Sequence, residues 1–159
     1  MEKANIHGCL VVWDGRGILL VGESGVGKTS CALEISRCGG AWVADDLVIV
    51  TTDQDGFPTG SPHEKIRNLA YLRSEGIIDV RAFPHVTSIV PATRIAVVVE
   101  LIKNLEKKRG KYLTVRQRLE NAGWRTHFAS VRVDDEAGQT AARIIGCVRR
   151  LTETDGVAI

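Results

Sequence analysis

The chain has 159 residues, 44% of them hydrophobic and 25% charged, and a net charge of +2. That balance excludes a wholly disordered or fibrous chain, and near-neutral charge with 5% aromatics gives no argument for nucleic-acid binding. The apolar runs fall far short of the ~20 residues of a membrane span, no secretory leader is evident, and four cysteines without a C-x-x-C pair argue against zinc and for reduced thiols in a cytoplasmic protein.

In chain order, residues 6–13 are apolar and β-branched, Asp14-Gly15-Arg16-Gly17 carries turn chemistry, and residues 17–21 resume the apolar run. Asp-Gly between two such runs predicts a hairpin. A glycine-rich segment follows. Cys31, Ala32, Leu33 and Ile35 then give a helical face, and Gly39-Gly40 stands where a helix stops. Residues 41–44 and 47–51 read as strand, interrupted by Asp45-Asp46; residues 52–62, with two prolines, read as turn or loop. A short helix is expected over 64–73, a buried strand over 76–80 and a strong strand over 94–101. Residues 103–118 hold seven basic residues against one acid, Glu106. Such a stretch is a solvated face, a dock for an acidic partner, or a clamp on phosphate. A helix is expected over 114–122, a strand over 128–133, and a last helix opening at Asp134-Asp135-Glu136 with Ala141, Ile144, Ile145 and Val148 on one face. The expectation is one domain over 1–151, with 152–159 a flexible tail.

The segment Gly22-Glu23-Ser24-Gly25-Val26-Gly27-Lys28-Thr29 matches the Walker A pattern and lies between a predicted strand and a predicted helix, the context that the motif requires. Glycines let backbone N–H groups turn inward around phosphate oxygens, and the helix that starts there adds its positive dipole end. Lys28 would reach the β- and γ-phosphates, and Thr29 would place its hydroxyl on Mg²⁺. Sixteen residues after Thr29, the Asp45-Asp46 pair ends a strand. One carboxylate there can support the metal while the other accepts the proton of an attacking hydroxyl. On its own the pair also reads as a solvated turn. His7, like His63, His85 and His127, reads by itself as a packing or surface residue.

Three segments together resemble the catalytic domain of the HPr kinase/phosphorylase (HPr serine kinase) family: His7-Gly8-x-Leu10-Val11 followed by Gly15-x-Gly17-Ile18-Leu19; the loop Gly22–Thr29 with its Glu23-Ser24 pair; and Val43-Ala44-Asp45-Asp46. A fourth, Arg73-Ser74-Glu75-Gly76-Ile77-Ile78-Asp79-Val80, is similar to the family's signature in weaker form. The resemblance is clear over residues 6–47, fair to 101 and lost afterwards, and it implies a short form without the long amino-terminal regulatory domain. It further implies an α/β sandwich with a mixed sheet, flanking helices and the phosphate loop. The implied activity is transfer of the γ-phosphoryl group of ATP, with Mg²⁺, to a serine of an HPr-like phosphocarrier, with a phosphorolytic reverse reaction in some members. Asp45 then matches the base, Asp46 the acid that supports the metal, and His7 a histidine beside that carboxylate; Arg73 would counter phosphate charge. Homo-oligomers are expected, and neither a nucleic-acid nor a membrane partner.

The chain departs from the pattern at Tyr71, two places before the signature arginine, where the family has an acid assigned to Mg²⁺; Glu75 is the nearest replacement. A phenol is a poor ligand for that hard cation. Two alternatives therefore stand beside the serine kinase: a kinase with another protein or small hydroxyl acceptor, and a nucleotide sensor with little catalysis. A GTPase is disfavoured, because Asn-Lys-x-Asp is absent.

Overall fold

The computed structural model describes residues 2–103 and 114–157. The middle of the basic stretch, with Lys107, Lys108, Arg109 and Lys111, lies outside the described residues.

The opening hairpin forms as its turn chemistry dictates. Strands β2 (Cys9–Trp13) and β3 (Arg16–Gly22) pair antiparallel, and Asp14 and Gly15 turn between them at φ 49° and 74°, the positive values that a two-residue hairpin turn needs. The single strand expected over 6–13 is broken at Gly8. A Cβ there would lie 2.5 Å from the Leu20 carbonyl oxygen, so glycine alone allows the chain to cross so close and change direction. The part before it, β1 (Glu2–His7), pairs antiparallel with β5 (Leu47–Thr52) instead.

Past β3, helix α1 (Lys28–Arg37) runs to Cys38, and Gly39 at φ 100° ends it. β4 (Ala41–Ala44) returns antiparallel to β2 and carries the acid pair at its end. Residues 58–62 are not loop but β6 (Pro58–Pro62), hairpinned to β5. The prolines misled because they stand at the first and last strand positions, where a missing N–H is tolerated. The helix expected over 64–73 shrinks to one 3-10 turn at Glu64–Ile66, capped by His63 Nδ1. Asn68 then turns left-handed at φ 65°, and β7 (Leu69–Leu72) pairs with β8 (Gly76–Asp79) as a separate two-stranded ribbon. β8 is therefore not a buried strand: Ile77 is 72% exposed.

The long β9 (Thr93–Ile102) organises the rest. It pairs antiparallel with β6 at its start and then parallel with β3 on one side and β10 (His127–Arg132) on the other. Helix α2 (Val115–Asn121) opens on a capping box between Thr114 and Gln117. Arg116 of α2 bonds Glu120 and Ser130 Oγ, both at 2.6 Å, which ties this end of the basic stretch to β10. Helix α3 (Ala137–Val157) runs beyond the expected stop at 151, so residues 152–157 are helical rather than a tail. Its apolar face simply continues: Leu151 packs on the core and Thr152 is buried, its hydroxyl donating to the Val148 carbonyl.

The eight-stranded mixed sheet has the order β1-β5-β6-β9-β3-β2-β4, with β10 beside β9. One apolar cluster lies between the sheet and α1 with α3, around Ile18, Leu20, Ile35, Trp42 and Ile144; the other lies on the opposite face, where Leu10, Leu19 and Val98 meet Val48, Val50, Leu119 and Trp124. This is the α/β sandwich expected, and it brings the C-terminal ends of β3 and β4 together.

Cysteine burial makes a simple prediction. Cys9 and Cys31 are buried, Cys147 is half-buried and Cys38 is exposed. Burial, and then the charge of Glu34, push the Cys31 thiol up to about 12. A thiol reagent at pH 8 should label Cys38 first and Cys147 more slowly, with Cys9 and Cys31 reacting only on unfolding. Mass spectrometry of the labelled peptides checks the order.

Candidate active site

The glycine loop runs from the last residue of β3 into α1. Gly22, Gly25 and Gly27 all have positive φ (147°, 79° and 105°), and Gly27 is the N-cap of α1, without a side-chain cap. The first N–H groups of α1 and the positive end of its dipole therefore point out of the loop. The buried Lys28 folds its ammonium back, donating to the Gly22 and Glu23 carbonyls at 2.9 and 3.0 Å. A cation held at the loop mouth by neutral acceptors keeps its charge for an anion.

The carboxylates separate sharply. Asp45 is 5% exposed, and its side chain takes three donors: the Thr29 hydroxyl on Oδ1 at 3.0 Å, the Cys9 thiol also on Oδ1, and the Tyr71 backbone N–H on Oδ2 at 3.0 Å. Asp46 turns outward in a left-handed backbone at φ 66°, a region aspartate enters more readily than most residues. Its carboxylate is 67% exposed and meets His7 Nδ1 at 3.4 Å. The tripeptide His7-Gly8-Cys9 thus clasps both acids. His7 pairs with Asp46, the Gly8 N–H donates to the Asp46 carbonyl at 3.2 Å, and Cys9 holds Asp45. Burial, followed by the charge of Asp45, raises the Cys9 pKa well above its ordinary value, so the thiol stays a neutral donor.

The β7–β8 ribbon closes one side. A Cβ added to Gly25 would come 2.9 Å from Arg73 Nη2, which puts this guanidinium over the loop. At Tyr71 the backbone amide serves the site, while the side chain is 60% exposed. Glu75 sits exposed in the ribbon's turn, its N–H bonded to the Leu72 carbonyl. The other histidines are structural in part: His63 caps the 3-10 turn, and His85 meets Phe83 edge-on at 5.4 Å. A cavity of about 480 Å³ between β10 and α3, lined in part by Arg132, Arg143 and Arg150, belongs to other elements.

Of the residues singled out in the sequence, the fold sets Thr29 against Asp45, His7 against Asp46, Arg73 over Gly25 and Lys28 on the loop carbonyls. Two further contacts to Asp45, from Cys9 and the Tyr71 amide, were not indicated by the sequence. The β2–β4 register, Leu10 opposite Ala44, sets Cys9 across from Asp45; only that pairing could have revealed it.

The donor set suits a hydrated Mg²⁺ better than a dedicated cage. Among the described residues no group of three or more His, Cys, Asp and Glu side chains could hold a metal. Thr29 and Asp45, in mutual contact at the helix start, match a cation held by a hydroxyl, one or two carboxylates and nucleotide phosphates.

A Walker A loop at a strand–helix junction, faced by paired acids at the end of β4, two strands along the sheet from β3, defines the class: an α/β protein built around a Walker A motif. A family model described as HPr serine kinase C-terminal domain matches residues 1–155, well past the limit of the motif resemblance, and the chain belongs to that family. It is 34% identical over 132 residues to the HPr kinase/phosphorylase of Streptococcus uberis, covering 83% of this chain and 41% of that protein. With the HPr kinase/phosphorylase of Mycoplasmopsis pulmonis it shares 35% identity over 111 residues, 70% of this chain and 35% of that protein. The chain thus spans less than half the length of these relatives. Its fold matches the Hpr(Ser) kinase/phosphatase structure from Coxiella burnetii at a TM-score of 0.72 and 19% identity, over 95% of this chain and 99% of that one. No helix among the described residues is long and apolar enough to cross a membrane.

Proposed function

We propose that the chain is an ATP- and Mg²⁺-dependent protein-serine kinase that phosphorylates an HPr-like phosphocarrier. The observation that carries the reading is the 3.0 Å contact between the Walker A hydroxyl, Thr29, and the buried carboxylate of Asp45. It sets a metal-binding hydroxyl and an acid–base group side by side at the loop mouth. Gly22–Thr29 hold the phosphates, Lys28 and Arg73 neutralise them, and Thr29 with Asp46 support Mg²⁺, which would draw charge from the β- and γ-phosphates.

A carboxylate offers about four acceptor sites, and Asp45 uses three. The fourth, on Oδ2, is left for the seryl hydroxyl. As the serine Oγ–Pγ bond forms, the bond from Pγ to the β,γ-bridging oxygen breaks and the serine proton passes to Asp45. Run backward with inorganic phosphate as acceptor, the same atoms give serine and pyrophosphate. His7, with Nδ1 3.4 Å from the Asp46 carboxylate, orients that acid. Homo-oligomers and a cytoplasmic setting are part of the same reading.

A second assignment exchanges the two acids. Asp46 is far more exposed than Asp45 and bears a histidine that could take on its proton; Asp46 would then be the base, and Asp45, against Thr29, the metal's support. ADP formation with and without the phosphocarrier tests the kinase reading. Carrier-dependent ADP supports it. Binding of ATP without ADP in either case points to a sensor, and ADP formed only with a small hydroxyl compound points to another acceptor.

A further inference from the structure

Resting on the kinase reading, we infer that Cys9 is a positioning residue for Asp45. Its thiol donates to Asp45 Oδ1, and its own side chain is 1% exposed, so no solvent competes for that bond. The Tyr71 amide holds the other oxygen at 3.0 Å. Together the two donors fix the plane of the carboxylate from opposite ends.

Thr29 also donates to Oδ1, and the same hydroxyl oxygen would help to hold Mg²⁺ alongside nucleotide phosphates. Cys9 carries no such second duty: its thiol is buried, with the Thr29 hydroxyl beside it at 3.8 Å, and it takes no part in holding a metal. The thiol therefore holds Oδ1 independently of any metal, and the free acceptor site on Oδ2 stays available to the incoming hydroxyl. The backbone makes this possible. Gly8 crosses against Leu20, where a Cβ would lie 2.5 Å from the carbonyl oxygen, and this close crossing starts β2 with Cys9 opposite Asp45.

A packing role and a positioning role make opposite demands on a substitute. Cys9→Val fills the space and cannot donate; Cys9→Ser donates and is smaller. A hydrogen bond to a charged group corresponds to about 10- to 100-fold in rate. Cys9→Val should lower kcat by about that factor with KM for ATP unchanged, and Cys9→Ser should recover most of the rate, once each is corrected for its folded fraction. The infrared S–H stretching band gives a readout that needs no activity. The Cys9 band should be shifted low in the native chain and move up in Asp45→Asn, because an amide oxygen is a weaker acceptor than a carboxylate. Full activity in Cys9→Val with loss in Cys9→Ser, or a band unmoved by Asp45→Asn, would overturn the proposal. If the chain phosphorylates no acceptor, the band alone decides: a moved band keeps Cys9 as the holder of Asp45 while the kinase reading fails.

Discussion

Asp45→Asn should lower phosphoryl transfer to the carrier by about 10²- to 10⁴-fold, the range over which a positioned acid–base group contributes. An amide cannot take the seryl proton. It also presents a donor where Asp45 now accepts: the side chain must meet Thr29 and Cys9 on one side and the Tyr71 N–H on the other, so one contact becomes donor against donor. That mismatch in a buried place should cost about 1–3 kcal/mol of stability, read by thermal unfolding. Nucleotide binding should survive, because the glycine loop and Lys28 are untouched. Asp46→Asn discriminates the two assignments. If Asp45 is the base, Asp46→Asn raises the Mg²⁺ requirement and leaves the rate at saturating metal largely intact. If the roles are exchanged, it is Asp46→Asn that loses the chemical step at any Mg²⁺ concentration.

Lys28→Ala should reduce transfer by about 10²- to 10³-fold, the effect of losing one preorganised charge stabiliser, and should weaken ATP binding as well. The ammonium is buried and held by the Gly22 and Glu23 carbonyls, so it is already aimed at the loop mouth before any phosphate arrives. Lys28→Arg is no conservative replacement, because a planar fork cannot occupy the seat of a compact ammonium. Both variants should keep the native circular dichroism spectrum, since Lys28 packs no core. Titration calorimetry with ATP separates the binding loss from the loss of rate.

The features legible in the sequence were those whose chemistry is local. Asp14-Gly15 specifies its own turn, Thr114 and Gln117 cap their own helix, and the Walker A residues specify their own loop. Asp45-Asp46 stood out only because the motif upstream gave it a partner. What escaped the sequence depends on pairing between distant strands. Pro58 and Pro62 look like loop residues until β5 and β9 are known to flank them. Residues 64–73 carry enough apolar character for a helix, yet Asn68 turns left-handed and Tyr71 is spent on a ribbon whose amide reaches Asp45, twenty-six positions away in sequence. Cys9 gave no signal of its own; an isolated buried thiol is usually just packing, and only the β2–β4 register gives it a carboxylate to serve. The helix stop expected near 151 was misplaced for a simpler reason. Arg149-Arg150 resembled a helix end, but Leu151 and Thr152 continue the buried face.

The ribbon also recasts the departure at Tyr71. A lost side-chain ligand would weaken a metal site built from several acids. Here the backbone of the same residue orients the central carboxylate, and Arg73, two residues on, reaches over Gly25. On the kinase reading, Thr29 and Asp46 remain to support Mg²⁺, and a weaker Mg²⁺ affinity is expected.

The most direct measurement is mass spectrometry of an HPr-like phosphocarrier after incubation with ATP, Mg²⁺ and the chain, alongside the Asp45→Asn variant. One phosphate on a single seryl hydroxyl is expected with the native chain and almost none with the variant. An unmodified carrier in the presence of bound ATP, or equal phosphorylation by Asp45→Asn, would contradict it.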